Sequence, residues 1–175
     1  MIIKLLDILS DEEKCQLTDV IENYCVDNNS PGWKLNGFSN SDNEDKLFWY
    51  LNVENNQFFN EVLFYKIKKI IKEYLDEEIV YTRIYLNGHT FGQQGYFHTD
   101  DDDLQGRTLL IYCNDFWKVE YCGATIFDNE NEIISMYPEP FSGVYFNANI
   151  KHFSQPISRD FLGLRITLAY KLKVI

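Results

Sequence analysis

At Ile79 the hydrophobic pattern of this chain changes from a helical period to an alternating one, and it stays alternating to Leu172. Val80-Tyr81-Thr82-Arg83-Ile84-Tyr85-Leu86 reads as a strand, and Asn87-Gly88 as the turn that closes it. Further strands are expected at about 107–113, 123–127, 132–137, 143–147, 151–155 and 163–172. Turn residues separate them: Asn114-Asp115, Asp128 to Asn131, Pro138 to Gly143, and Ser158 to Asp160. Many short strands at such intervals argue for a sandwich or jelly roll.

The first 76 residues have a different grammar. Ser10-Asp11-Glu12-Glu13 has the form of a capping box, and Leu17, Val20, Ile21 and Tyr24 then share a helical face. Residues 26–45, rich in Asn, Ser, Gly and Asp, read as a long loop. Trp33 and Phe38 within it either pin that loop to the core or cover a substrate as a lid. Leu47 to Leu51 suits a short strand. A second helix is expected from Asn56 to Asp76, burying Phe59, Leu63, Ile67, Ile70, Ile71 and Tyr74 and turning Lys66, Lys68, Lys69 and Lys72 to solvent. At 175 residues, a single domain follows, with helical support over about 10–76 and a β core over about 79–172.

The formal charge of -11 argues against nucleic acid as the main partner and favours a neutral or basic substrate. Cys15, Cys25, Cys113 and Cys122 have no framework spacing and are expected as free thiols. The apolar start, Met1 to Leu9, is too short for a secretory signal, and no segment approaches a membrane span. A soluble, intracellular (cytoplasmic) protein is the expectation.

Chemistry concentrates in Gly95-Tyr96-Phe97-His98-Thr99-Asp100. Alternate strand residues share a face, so His98 and Asp100 present imidazole and carboxylate to the same side, which is half a metal site. His152, after the apolar run Gly143 to Asn147, supplies the natural third ligand, and two His with one carboxylate suit a non-haem Fe(II) centre. The remaining His, His89, falls on the turn after the first strand and reads as a loop residue. Asp101-Asp102-Asp103 reads first as a solvated turn; a Ca²⁺ or Mg²⁺ site, or steering of a cationic substrate, are the alternatives. Thirteen positions after His152, Arg165 and Thr167 share another strand face.

That ordered set, His98-x-Asp100, His152, then Arg165-x-Thr167, resembles the Fe(II)/2-oxoglutarate-dependent dioxygenases, and among them the prolyl 4-hydroxylase-like group. Thr108 to Asn114, Gly123-Ala124-Thr125-Ile126-Phe127 and Tyr137-Pro138 keep the same order. The resemblance covers about residues 80–172 and implies a mainly β, α+β double-stranded β-helix with two supporting N-terminal helices. It implies Fe(II) at His98, Asp100 and His152, with 2-oxoglutarate and O₂ as cosubstrates and ascorbate as an optional reductant. Arg165 would grip the far carboxylate of 2-oxoglutarate, helped by Thr167 and Tyr112, with Tyr85 a further cosubstrate candidate. The implied reaction hydroxylates a C–H bond of a protein, peptide or small molecule, a proline side chain being the leading example, and releases succinate and CO₂. Cys122-Gly123 and Ala124 depart from the usual Gly-Gly pattern on the substrate side. Two other classes fit parts of the set: a zinc hydrolase, which has no need of Arg165, and a non-catalytic jelly-roll binding module. A surface Arg165 paired with Asp160 would favour these.

Overall fold

The computed structural model describes residues 1–23, 32–37, 47–130 and 132–175. Strand β1 (Ile2–Leu5) leads into helix α1 (Asp11–Asn23), whose capping box forms as expected. Glu13 Oε2 accepts the Ser10 N–H at 2.7 Å, and Ser10 Oγ accepts the Glu13 N–H at 3.3 Å. Leu17 and Ile21 are buried on this helix, and Val20 packs against the same core. Tyr24, Cys25 and Phe38 lie outside the described residues.

The segment expected to be one long loop contains β2 (Lys34–Gly37), which pairs with β3 (Leu47–Asn52). Turn-forming composition misled here, because a partner strand satisfies the backbone groups of β2 that its side chains would otherwise have competed for. Trp33 is half-buried against the main core. The second helix starts as a π-helical stretch, Phe58–Leu63, and continues as α2 (Phe64–Leu75). Wider winding at the start shifts the phase of the buried stripe: Phe58, Phe59, Leu63, Phe64, Ile67 and Ile71 are buried, whereas Tyr74 is exposed. Lys66 is not on a solvated face either; it pairs with Glu13 and ties α2 to α1.

Two antiparallel sheets then form from β4 (Ile79–His89), β5 (Gly106–Tyr112), β6 (Thr125–Asn129), β7 (Glu132–Met136), β8 (Gly143–Asn147), β9 (Lys151–Ser154) and β10 (Arg165–Val174). The major sheet has the order β1-β8-β5-β10-β4-β3-β2, and the minor one β7-β6-β9. They make the jelly roll, a double-stranded β-helix, with the two helices as support. β10 sits centrally, and its two faces differ. Ile166, Leu168, Tyr170 and Leu172 pack with Ile84, Leu86, Leu109 and Ile111 against the helices, where Tyr170 donates to the Phe59 carbonyl at 2.8 Å. The opposite face carries Arg165, Thr167, Ala169 and Lys171 toward a cavity.

Asn87-Gly88 is not a turn. β4 runs through it to His89, paired with Trp49 and Tyr50 on one side and with Arg165, Ile166 and Thr167 on the other. A Cβ on Gly88 would sit 2.7 Å from the Leu164 side chain, so close packing, not turn geometry, is what the glycine serves. His89 is therefore a buried strand residue rather than a loop residue.

Candidate active site

His98 lies just before the acidic turn, and its backbone pairs directly with His152: each N–H donates to the other's carbonyl, at 3.1 and 2.9 Å. Directly opposed residues of an antiparallel pair present side chains on one face, so the two imidazoles meet, with ring centroids 4.5 Å apart. Asp100 is fixed by its own N–H, which donates to the Ala148 carbonyl at 2.8 Å. Its carboxylate falls between the rings, 3.5 Å from His98 Nε2 and 3.6 Å from His152 Nε2. One ligand atom from each residue lies within 4.8 Å of the other two.

The protonation pattern fits a metal. His98 Nδ1 is 2.7 Å from the Tyr96 carbonyl, and His152 Nδ1 is 2.9 Å from the Ile150 carbonyl. A carbonyl only accepts, so each Nδ1 carries the proton and each Nε2 turns its lone pair into the site. Burial pushes the His152 pKa down to about 4, more than Asp100 raises it, so this ring is neutral at neutral pH. Phe127 and Phe146 hold its orientation, Phe146 edge-on at 4.7 Å. Burial alone would raise the Asp100 pKa, but the Lys171 charge, the imidazoles and the Lys171 hydrogen bond outweigh it and hold the carboxyl well below the usual range. Thr108 donates to Asp100 Oδ2 at 2.6 Å, and Lys171 pairs with the same oxygen. Oδ1 is left free of these two partners, facing His98 Nε2 at 3.5 Å.

Arg165 is only 2% exposed, and it points inward. Asp160 is not its partner, since that carboxylate faces Ser158 instead. Arg165 Nε donates to the Gly123 carbonyl at 2.7 Å, and Nη2 reaches Thr125 Oγ1 at 3.3 Å. The Tyr112 ring lies 5.4 Å from the guanidinium carbon, and the Tyr112 hydroxyl donates toward Thr125 Oγ1 at 2.8 Å. Gly123 has φ +75°, and a Cβ there would stand 3.1 Å from Arg165 Cδ, so glycine alone suits this seat. Burial pulls the guanidinium pKa down, yet among the described residues no carboxylate pairs with it. A buried guanidinium without a counter-ion is costly, which points to a ligand carboxylate.

Metal triad and guanidinium share one cavity of about 630 Å³. Thr167 lines it beside Asn87 and opposite Tyr112. Tyr85 lines it too, nearer Arg83 and Lys171 than Arg165. His89 Nδ1, the Asn87 side-chain oxygen and Ser154 Oγ are buried in its wall with no hydrogen-bond partner, as expected where a polar ligand belongs.

Sequence reasoning gave no role to Thr108, Thr125, Arg83 and Lys171, and read His89 as a loop residue. A usable signal existed: Lys171 shares the alternating face of Arg165 and Thr167, and Thr108 shares that of Tyr112. Asp101 to Asp103 form a turn tied by their own bonds, Asp101 accepting the Asp103 N–H and Asp103 pairing with Lys173.

No protein-family model matches the chain, and no curated protein matches its sequence. Solved structures do match. A prolyl hydroxylase from Trichoplax adhaerens, in complex with a hypoxia-inducible factor oxygen degradation domain peptide, aligns with a TM-score of 0.74 at 14% identity, covering 99% of this chain and 83% of that one. The fold is that of the 2-oxoglutarate- and Fe(II)-dependent oxygenases. An oxidoreductase of the 2OG-Fe(II) oxygenase family from Burkholderia pseudomallei aligns at 0.76 and 8% identity, covering 98% and 85%. A non-haem alpha-ketoglutarate-dependent carbocyclase from nogalamycin biosynthesis aligns at 0.74 and 11%, covering 98% and 79%. The same fold thus occurs in a prolyl hydroxylase and in a carbocyclase. No helix among the described residues is long and apolar enough to cross a membrane.

Proposed function

We propose that the protein is an Fe(II)- and 2-oxoglutarate-dependent dioxygenase that hydroxylates a C–H bond, with a protein or peptide side chain such as proline as substrate. Residues 1–175 act as a single catalytic domain in this reading. The observation that carries it is one cavity holding both a two-His, one-carboxylate set and a buried guanidinium that has no carboxylate partner among the described residues. A zinc hydrolase has no use for the second feature, and a binding module has no use for their combination.

His98 Nε2, Asp100 Oδ1 and His152 Nε2 would hold Fe(II) from one side. With 2-oxoglutarate and O₂, that centre supplies the oxidising power, yielding succinate and CO₂ as an oxygen atom enters the substrate. Arg165 binds the far carboxylate of the cosubstrate through its planar fork, and Thr125 with the Gly123 carbonyl fixes that fork in place. Thr167 and Tyr112 stand beside it, and Tyr85 faces the substrate end. Thr108 and Lys171 hold Asp100 in one orientation, so the carboxylate offers one oxygen. Buried aromatic rings behind His152 exclude water. The peptide substrate draws support from the peptide-bound neighbour.

Purified protein supplied with Fe(II), 2-oxoglutarate and air should release succinate slowly, and faster with an accepted substrate. Calorimetry under Mn(II) without oxygen should show 2-oxoglutarate binding. Absence of both succinate and binding would refute the proposal.

A further inference from the structure

We propose that the substrate carries an anionic group, a carboxylate or a phosphate, that seats against Arg83 in the cavity, beside the Lys171–Asp100 pair. This rests on the oxygenase reading of the same cavity and names the chemistry of its substrate.

Arg83 on β4 and Lys171 on β10 are direct cross-strand partners on the cavity face. Like charges placed opposite one another repel unless each has its own counter-charge. Lys171 is already answered by Asp100. Arg83 is not: among the described residues no carboxylate is within ion-pair distance, and Glu54 acts on it only through its field. Nor is Arg83 a loose surface chain. Its guanidinium carbon lies 4.7 Å from the Tyr85 ring and 5.6 Å from the Tyr50 ring, and Nη2 is 3.5 Å from the Tyr50 hydroxyl. Two aromatic rings therefore hold a planar fork in the cavity lining.

The other charges around the cavity do not cancel it. Arg107 is spent on Glu77, which it meets through Nε and Nη2 at 3.2 and 2.7 Å. Asp101, the other lining carboxylate besides Asp100, accepts the Asp103 N–H at 3.0 Å and makes no ion pair with Arg83 among the described residues. An uncompensated cation on the rim of an otherwise acidic chain, of net charge -11, selects for negative substrates locally while the rest of the surface repels them. The sequence favoured a neutral or basic substrate because net charge says nothing about where charges lie.

The test uses the full chain loaded with Mn(II) and 2-oxoglutarate in the absence of oxygen. Calorimetric probes are N-acetyl-aspartate, glycerol 3-phosphate, a blocked peptide carrying Asp beside Pro, neutral N-acetyl-prolinamide and cationic N-acetyl-lysinamide. At least one anionic probe should bind about tenfold tighter than the neutral and cationic ones, as expected for charge-assisted hydrogen bonds. Arg83→Gln should remove that preference, Arg83→Lys should restore part of it, and 2-oxoglutarate affinity should move less than twofold in both. Which anionic probe wins tells a free small acid from an acidic peptide. Equal binding of the neutral or cationic probe, an anion preference that survives Arg83→Gln, or no anion binding while 2-oxoglutarate binds would each overturn the proposal. Failure of 2-oxoglutarate to bind the wild type would instead sink the oxygenase reading. The same anion titrations on protein without cosubstrate then still decide the role of Arg83.

Discussion

The two ends of the cavity each hold a cation, and they hold it differently. Arg165 at the inner end is buried, fixed by the Gly123 carbonyl and Thr125, and backed by Tyr112. Arg83 at the other end is exposed and, among the described residues, held by the rings of Tyr50 and Tyr85 and by the Tyr50 hydroxyl. A dry, rigid guanidinium binds one ligand shape tightly; a wet one on an aromatic shelf takes an anion and lets it go. In the proposed reaction the difference would suit a constant cosubstrate at Arg165 and an exchanging substrate at Arg83.

Removing the centre should disable both ends together. His152→Ala is expected to abolish metal binding and lower succinate release by roughly a thousandfold or more, an estimate in line with the loss of a metal ligand. Metal analysis alongside activity checks it, and full turnover in that variant would break the comparison outright.

Acid should strike the dry part of the cavity first. Burial, aided by the Arg165 charge, pushes the His89 pKa down to about 3, and burial pushes His152 to about 4. Unfolded imidazoles protonate near the ordinary value, so the folded state binds fewer protons below it, and stability falls as pH drops. Metal-free protein should lose roughly 1.4 kcal/mol per pH unit for each ring between about pH 6.5 and the folded value. Thermal melts across that window read the slope, and a flat profile would mean the rings are not desolvated.

Arg165→Ala should weaken 2-oxoglutarate binding by about a hundredfold, the scale of a lost charged hydrogen-bond pair, with metal affinity retained. Calorimetry with the Arg83→Gln variant beside it would separate the two ends directly. A smaller effect is expected from Thr125→Val, which removes the hydroxyl shared by Arg165 and Tyr112. About a fivefold loss in 2-oxoglutarate affinity, or roughly 1 kcal/mol, would fit one hydrogen bond. No change would show that the Gly123 carbonyl suffices to aim the guanidinium.

Much of this arrangement was legible beforehand, and the failures have a common cause. The strands from Arg107 to Val174 fell near their expected bounds because alternation marks them, whereas the strand expected through His98 and Asp100 does not form: His98 makes a single bridge to His152, and Asp100 sits on the bend that follows, held by the Ala148 carbonyl. Asn87-Gly88 carries a strong local turn signal, yet β4 continues through it because β3 and β10 pair with it on both edges. Residues 34–37 became a strand despite a loop composition, again because a partner was present. In each case a distant backbone outweighed a local preference of about 1 kcal/mol.

By itself the sequence determined which residues could serve as ligands, how they are ordered and which of them share a face, since those follow from chain spacing and side-chain chemistry. Only the tertiary structure decided that His152 meets His98, that Arg165 is sealed with no counter-ion among the described residues, and that Arg83 stands opposite Lys171. Those facts depend on strand register across dozens of residues, and register is set by the pairing and burial of the whole sheet rather than by any stretch of it.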